Sequence, residues 1–275
     1  MSSILILLFY YWVITFSIIG YGILFNQFFL KFSEKDIGFI GINGIFILIF
    51  ISYLTSFFIP HTVLFNSILI LIGFSKFLMN IKNIQKNLKD IIVIFTILII
   101  FIFVSKNHDD FPYYHFPYSY YLTQNNTFIG IGIFNHGFRT PSSLFYLSSV
   151  FYLPLIKYNL FLLPALLILG FANLILLSKI VKNLNLNKID YSLYLCLFSL
   201  AFINIFFYRI QEHGTDRSAQ ILVFILFIDF LLFVSFRPNF KDNISNILVT
   251  LGIIISLKSF YILYLSFFIP IFFIF

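Results

Sequence analysis

The sequence predicts an all-α protein: a polytopic transmembrane helical bundle of about eight or nine spans, with a long external loop carrying interfacial helices. Three observations predict it. Hydrophobic residues make up 61% of the chain against 10% charged, and mean hydropathy is +1.02, far from a soluble domain. Apolar runs near the roughly 17–25 residues needed to cross a bilayer recur along the whole length. These runs are continuous rather than alternating, so helices are preferred over a β-barrel.

Taken in order, the candidate spans are 4–25, 38–59, 62–80, 90–105, 158–178, 191–208, 218–236 and 244–258, with a last piece at 260–275. The first lacks a basic leader and a small-residue cleavage site, so it reads as a retained helix rather than a signal peptide. The fourth holds fourteen uninterrupted apolar or Thr residues, Ile91 to Val104, and crosses only if Lys89 and Ser105 lie at the interfaces. Asp229 falls inside the seventh span, where an ionisable group is costly; a contact between helices is its expected use. Lys258 interrupts the stretch from Ile244 onward, and the chain ends inside FFIPIFFIF, which reads as a fragment or truncated frame. Residues 1–89 thus form an N-terminal set of helices and 90–275 a transmembrane core that includes the external loop 106–157.

Charge fixes the orientation. Alternate loops carry Lys31 and Lys35, then Lys76, Lys82, Lys86 and Lys89, then Lys179, Lys182 and Lys188, then Arg237 and Lys241. The positive-inside rule places these in the cytoplasm and the N-terminus outside. The net charge of +7 is spread over these short loops, which excludes a basic groove for nucleic acid. One cysteine, Cys196, excludes an intrachain disulfide and a multi-cysteine metal site. The 42 Phe follow from AT-rich codon usage as readily as from function.

Polar chemistry gathers on the external side. Loop 106–157 opens with KNHDDFPYYHFPY, and the later loop reads YRIQEHGTDR, 208–217. Between them they hold Asp109, Asp110, Glu212, Asp216 and four of the five histidines, His108, His115, His136 and His213; His61 occupies the remaining external turn. The Asp pair follows a membrane helix closely, and an Asp there can take a proton from an attacking hydroxyl. A solvated loop is the competing explanation. Glu212 and His213, with Asp110, could ligate a divalent metal ion, although no HExxH-like spacing supports it. Arg139, Arg217 and Lys258 suit an anionic headgroup, unless Arg139 is interfacial and Lys258 snorkels. Pro112 and Pro117 disfavour a regular helix in FPYYHFPYSYY. In SSLFYLSSVFYLPLI, Ser142, Tyr146 and Ser149 oppose Leu144, Leu147, Val150 and Phe151, which predicts a helix lying in the interface plane.

This order of features resembles the GT-C class of polytopic glycosyltransferases, the group of protein-mannosyltransferase-like and lipid A aminoarabinose-transferase-like enzymes. The matching parts, within residues 90 to 258, are the helix 90–105, the pair Asp109–Asp110, the interfacial segment 142–156, and Glu212 to Asp216 in the next external loop. Three extra spans precede that core, and a large soluble C-terminal domain is missing from it. The resemblance implies a polyprenyl-phosphate sugar donor reached from membrane lipid. It also implies Asp110, ahead of Asp109, as base in an inverting transfer, and Arg217 or Lys258 on the leaving phosphate. Arg139, Glu212, His213 and Asp216 complete the implied substrate site, on the outer face of a bacterial plasma membrane. Two rivals remain open: a lipid or solute transporter, for which Asp229, Lys258 and Pro164 speak, and an envelope-polysaccharide polymerase.

Overall fold

A computed structural model describes residues 2–30, 36–103, 109–207, 210–236 and 240–269; the side chains of 2, 210–213, 236, 240–243 and 267–268 lie outside the description. The described residues are helical, without a β-strand. They form α1 (Ser2–Phe25), α2 (Ile37–Ser56), α3 (Val63–Met79), α4 (Ile81–Ile84), α5 (Leu88–Leu98), α6 (Phe116–Gln124), α7 (Ser143–Val150), α8 (Leu163–Asn185), α9 (Tyr191–Phe206), α10 (Ile210–Phe236) and α11 (Phe240–Leu257). Among them are four stretches long and apolar enough to cross a membrane: Ser3–Leu30, Ile37–Ser56, Tyr158–Asn185 and Gly214–Ser235. Helices α3 and α9 and the segment Ile244–Leu257 are apolar but shorter. The chain is a membrane protein on this composition.

Local sequence starts the helices where they start. Asp36 accepts from the N–H groups of Gly38 and Phe39 at the head of α2, Thr62 from Phe65 in α3, and Asp190 from Leu193 in α9. Pro164 sits in the first turn of α8, where a missing N–H costs nothing, so it does not break that helix as a transporter reading would want. The stretch from Leu88 tightens from α5 into a 3-10 helix at Ile99–Phe103. It rises about 26 Å, close to a hydrocarbon core, despite its few residues.

Helix α8 is the hub. Every residue from Leu163 to Leu176 is buried, against α2, α9 and α10 on its sides and α5 and α7 towards its flanks. A helix apolar on all faces belongs in such an interior. One continuous core runs from Tyr11 in α1 to Leu257 in α11. Helix α1 packs chiefly on α2 and α3 through glycines: a Cβ on Gly20 would lie 1.8 Å from the Gly73 carbonyl oxygen, and one on Gly44 1.9 Å from that of Ile18. Small residues let backbones touch where lipid offers no hydrophobic drive for association. Hydrogen bonds add specificity: Tyr11 donates to the Phe95 carbonyl at 2.7 Å and Tyr21 to that of Leu69 at 2.7 Å. The Asn173 and Asn204 amides pair reciprocally between α8 and α9. Asp229 meets Lys179 at 2.5 Å between α10 and α8, the interhelical contact expected of it.

Two expectations are corrected. The double-proline segment is helical: a π-turn, Phe111–His115, runs into α6. Pro112 and Pro117 each fall in the first turn of their piece, where no donor is required. Helix α7 does not lie half-exposed in an interface, since all eight of its residues are buried. Its polar side chains find protein partners: Ser148 donates to the Phe161 carbonyl at 2.7 Å, Tyr146 bonds Tyr118 at 2.6 Å and Ser143 bonds Ser256 at 2.9 Å.

The turn between α2 and α3 is tied to α6 and α7. His61 is fully buried; its backbone N–H donates to Leu122 at 2.8 Å, and its ring bridges the hydroxyls of Ser149 at 2.6 Å and Thr55 at 3.1 Å. Asn66 donates to the carbonyls of His61 and Ser149. Burial pushes the imidazole down to about 4, so it is neutral at pH 7. At the other end of the bundle, Ser178 donates to Asp36 beside Lys179. The segments expected on one side of the membrane thus share one end.

Candidate functional site

At the end that holds α6 and α7, a cavity of about 1130 Å³ opens between four segments distant in sequence. The stretch after Asp110 supplies one wall, Asn135 to Ser142 a second, and the heads of α10 and the 3-10 helix Ser259–Phe268 the third. Its base is apolar, with Phe145, Ile255 and Leu257. Asp110, Arg139, Asp216, Arg217 and Lys258, five of the candidate residues, all line it. Asp109 is exposed and does not. The side chains of Glu212 and His213 lie outside the described residues, as does all of His108.

Each wall has a local cause. Asp110 stands at the N-terminus of the π-turn, and Tyr114, four residues on, donates to its Oδ2 at 3.0 Å. Burial, then the bond to Asp110, pushes the Tyr114 phenol up to about 12, so it remains a donor at neutral pH. The Tyr114 ring needs Gly137 beneath it, because a Cβ there would come within 2.3 Å of Tyr114 Cγ. Asn135 closes the same corner, donating to the Tyr113 carbonyl at 2.9 Å and accepting from Gly137 N–H at 2.8 Å.

On the opposite wall α10 is kinked at Gly214, whose φ of 29° and ψ of −92° leave the helical region and its neighbours on either side of a bend. A positive φ is the conformation glycine tolerates best. The bend aims Asp216 and Arg217 at the cavity. Asp216 accepts from Lys258 Nζ at 2.6 Å across the gap between α10 and α11, with both side chains about half exposed. Arg217 donates to Gln220 at 2.9 Å and lies 5.3 Å from the centre of the Phe207 ring. Arg139 carries no side-chain hydrogen bond or ion pair among the described residues.

The described lining therefore has three cations against two carboxylates. Such a surface receives an anion alongside a base, with Arg providing paired N–H donors for phosphate and Lys a point charge. Among the described residues, His, Cys, Asp and Glu form no group of three or more that could hold a metal ion. Of the expected ligand set only the Asp110 side chain is described.

Tyr114, Gln220 and Ser256 escaped the sequence reading. Tyr114 was legible in principle, because i and i+4 share a helical face, but the two prolines hid the helix. Ser256 was not, since its place depends on how α11 docks on α7. His115 and His136 line the cavity too, whereas His61 is buried in its own network away from it.

Residues 4–275 match the sequence profile of a family described as a domain of unknown function (DUF8201). No curated protein and no solved structure matches the chain.

Proposed function

The chain belongs to the DUF8201 family, and from the chemistry of its cavity lining we propose that it is a membrane glycosyltransferase moving a sugar from a polyprenyl-phosphate donor to an acceptor hydroxyl. The observation that carries this reading is the cavity whose lining holds Asp110 together with Arg139, Arg217 and Lys258 at one end of an apolar bundle. A base and an anion site in one chamber are what transfer from a lipid phosphate requires.

Asp110 accepts the acceptor hydroxyl proton as its oxygen attacks the anomeric carbon. The bond from that carbon to the phosphate oxygen breaks with inversion, and the lipid phosphate leaves with its charge met by fixed cations. Tyr114 holds the carboxylate in place. Lys258 is shared with Asp216, so Arg139 and Arg217 are the freer cations for phosphate. Helices α3, α5, α9 and α11 add to the four long spans to give about eight crossings. The alternation of Lys and Arg between loops supports an external cavity, and on this reading the membrane is a bacterial plasma membrane. Asp110, Glu212 and His213 are the residues that would hold a divalent ion as cofactor.

The test is transfer of radiolabelled sugar from a panel of polyprenyl-phosphate sugars by membranes carrying the chain. Product formation that depends on the chain supports the reading. No transfer across the panel, with inserted protein verified, removes it in favour of a transporter.

A further inference from the structure

A second cavity, about 450 Å³, adjoins the first and shares Arg139 and Pro141 with it. Its character is different. Tyr53, Phe57, Tyr118, Phe128, Phe138 and Tyr146 supply aromatic walls, and Gly130 to Ile133 form its rim. Three of its four hydroxyls have partners: Tyr118 bonds Tyr146 at 2.6 Å and Thr127 donates to Ser56 at 3.1 Å, which leaves the Tyr53 hydroxyl. A sugar ring would find few free donors there, whereas an apolar chain needs none.

The rim points to the source of such a chain. Ile129 is 97% exposed, Ile133 88% and Phe134 75%, on a turn made by Gly130 at φ 96°. No Asp, Glu, Lys or Arg occurs from residue 125 to 138. In a membrane protein such a tip is satisfied by hydrocarbon rather than water. Arg139 closes this segment. Its stem is held where Gly132 approaches, since a Cβ on Gly132 would come within 2.8 Å of Arg139 Cγ.

We infer that the two cavities form one site for a membrane-resident amphiphile. The chain lies in the aromatic groove beneath the 128–134 turn, the phosphate at Arg139, and the head in the polar cavity. The Arg139 guanidinium at the junction, unpaired among the described residues and set between an apolar groove and a polar chamber, carries the inference. It rests on the proposed transferase only for the expectation that the ligand is a lipid phosphate.

The experiment is photocrosslinking of the full chain in lipid nanodiscs with a short isoprenyl phosphate carrying a diazirine at its far end. Crosslinked peptides are mapped by mass spectrometry. Labelling within 127–138 or at Tyr53 and Phe57, suppressed by unlabelled isoprenyl phosphate but not by isoprenol or inorganic phosphate, is the expected result. Arg139→Gln should weaken that competition by about tenfold or more, as loss of charge-assisted hydrogen bonds does. Labels confined to other helices, diffuse labelling, or equal competition by isoprenol overturns the inference. Groove labelling without sugar transfer would leave the site standing and the transferase reading fallen. Transfer with labels elsewhere would do the reverse.

Discussion

Acidification should loosen this protein through His61. The ring is fully buried, faced by the hydroxyls of Thr55 and Ser149 and stacked on Phe65 at 5.6 Å. Burial pushes its pKa from 6.5 down to about 4. The unfolded turn takes up a proton as pH falls through 6.5, while the folded one resists until about 4. Stability is therefore full above pH 6.5 and is lost progressively below it. At about 1.36 kcal/mol per unit, the loss is about 2 kcal/mol at pH 5 and about 3 kcal/mol once pH drops beneath the folded value. The assay is reversible unfolding in mixed micelles at pH 7, 6 and 5, comparing wild type with His61→Gln. The variant should be less stable at pH 7, because it cannot span both hydroxyls, and should fall by about 2 kcal/mol less than wild type between pH 7 and 5. Equal pH dependence in both proteins would refute the assignment of a buried neutral imidazole.

Three further predictions address the bundle and the site. Lys179→Met should cost about 3–5 kcal/mol by removing the cation that meets the Asp229 carboxylate, and adding Asp229→Leu should restore much of it, as read in the same unfolding assay. Gly73→Val should separate α1 from α3 and cost at least about 1–3 kcal/mol, because a Cβ there would meet Ser17 Oγ at 2.3 Å; a variant as stable as wild type would contradict that packing. Tyr114→Phe should lower kcat of sugar transfer by about tenfold or more while KM changes little, since the lost bond is the one that positions Asp110.

The architecture was legible because membrane helices announce themselves. Runs such as LPALLILGFANLILL can only be interior or lipid-facing, and caps such as Asp36, Thr62 and Asp190 mark where helices begin. The gathering of Asp110, Arg139, Asp216 and Arg217 was foreseeable from loop alternation, since topology assigns ends without any contact being known, whereas Lys258, which interrupts an apolar stretch, had no loop to place it. Finer structure was not. An alternation of Ser and Leu in residues 142–151 describes a half-exposed helix and a doubly buried one with polar partners equally well, and only the positions of His61, Tyr118 and Ser256 decide between them. The kink at Gly214 was likewise hidden, because glycine in a polar loop carries no sign of whether it bends a helix or ends one. The separation of Asp109 from Asp110 depends on which residue begins the π-turn, a choice set by packing of Tyr114 over Gly137.

That separation supplies the decisive measurement. Sugar transfer from a polyprenyl-phosphate donor should be compared in membranes holding wild type, Asp110→Asn and Asp109→Asn at equal insertion. Loss of transfer by at least about a hundredfold in Asp110→Asn, in the range general-base removal produces, with most of it kept in Asp109→Asn, is the expected result. Wild-type rates in Asp110→Asn, or greater loss in Asp109→Asn, would contradict Asp110 as the base in this cavity.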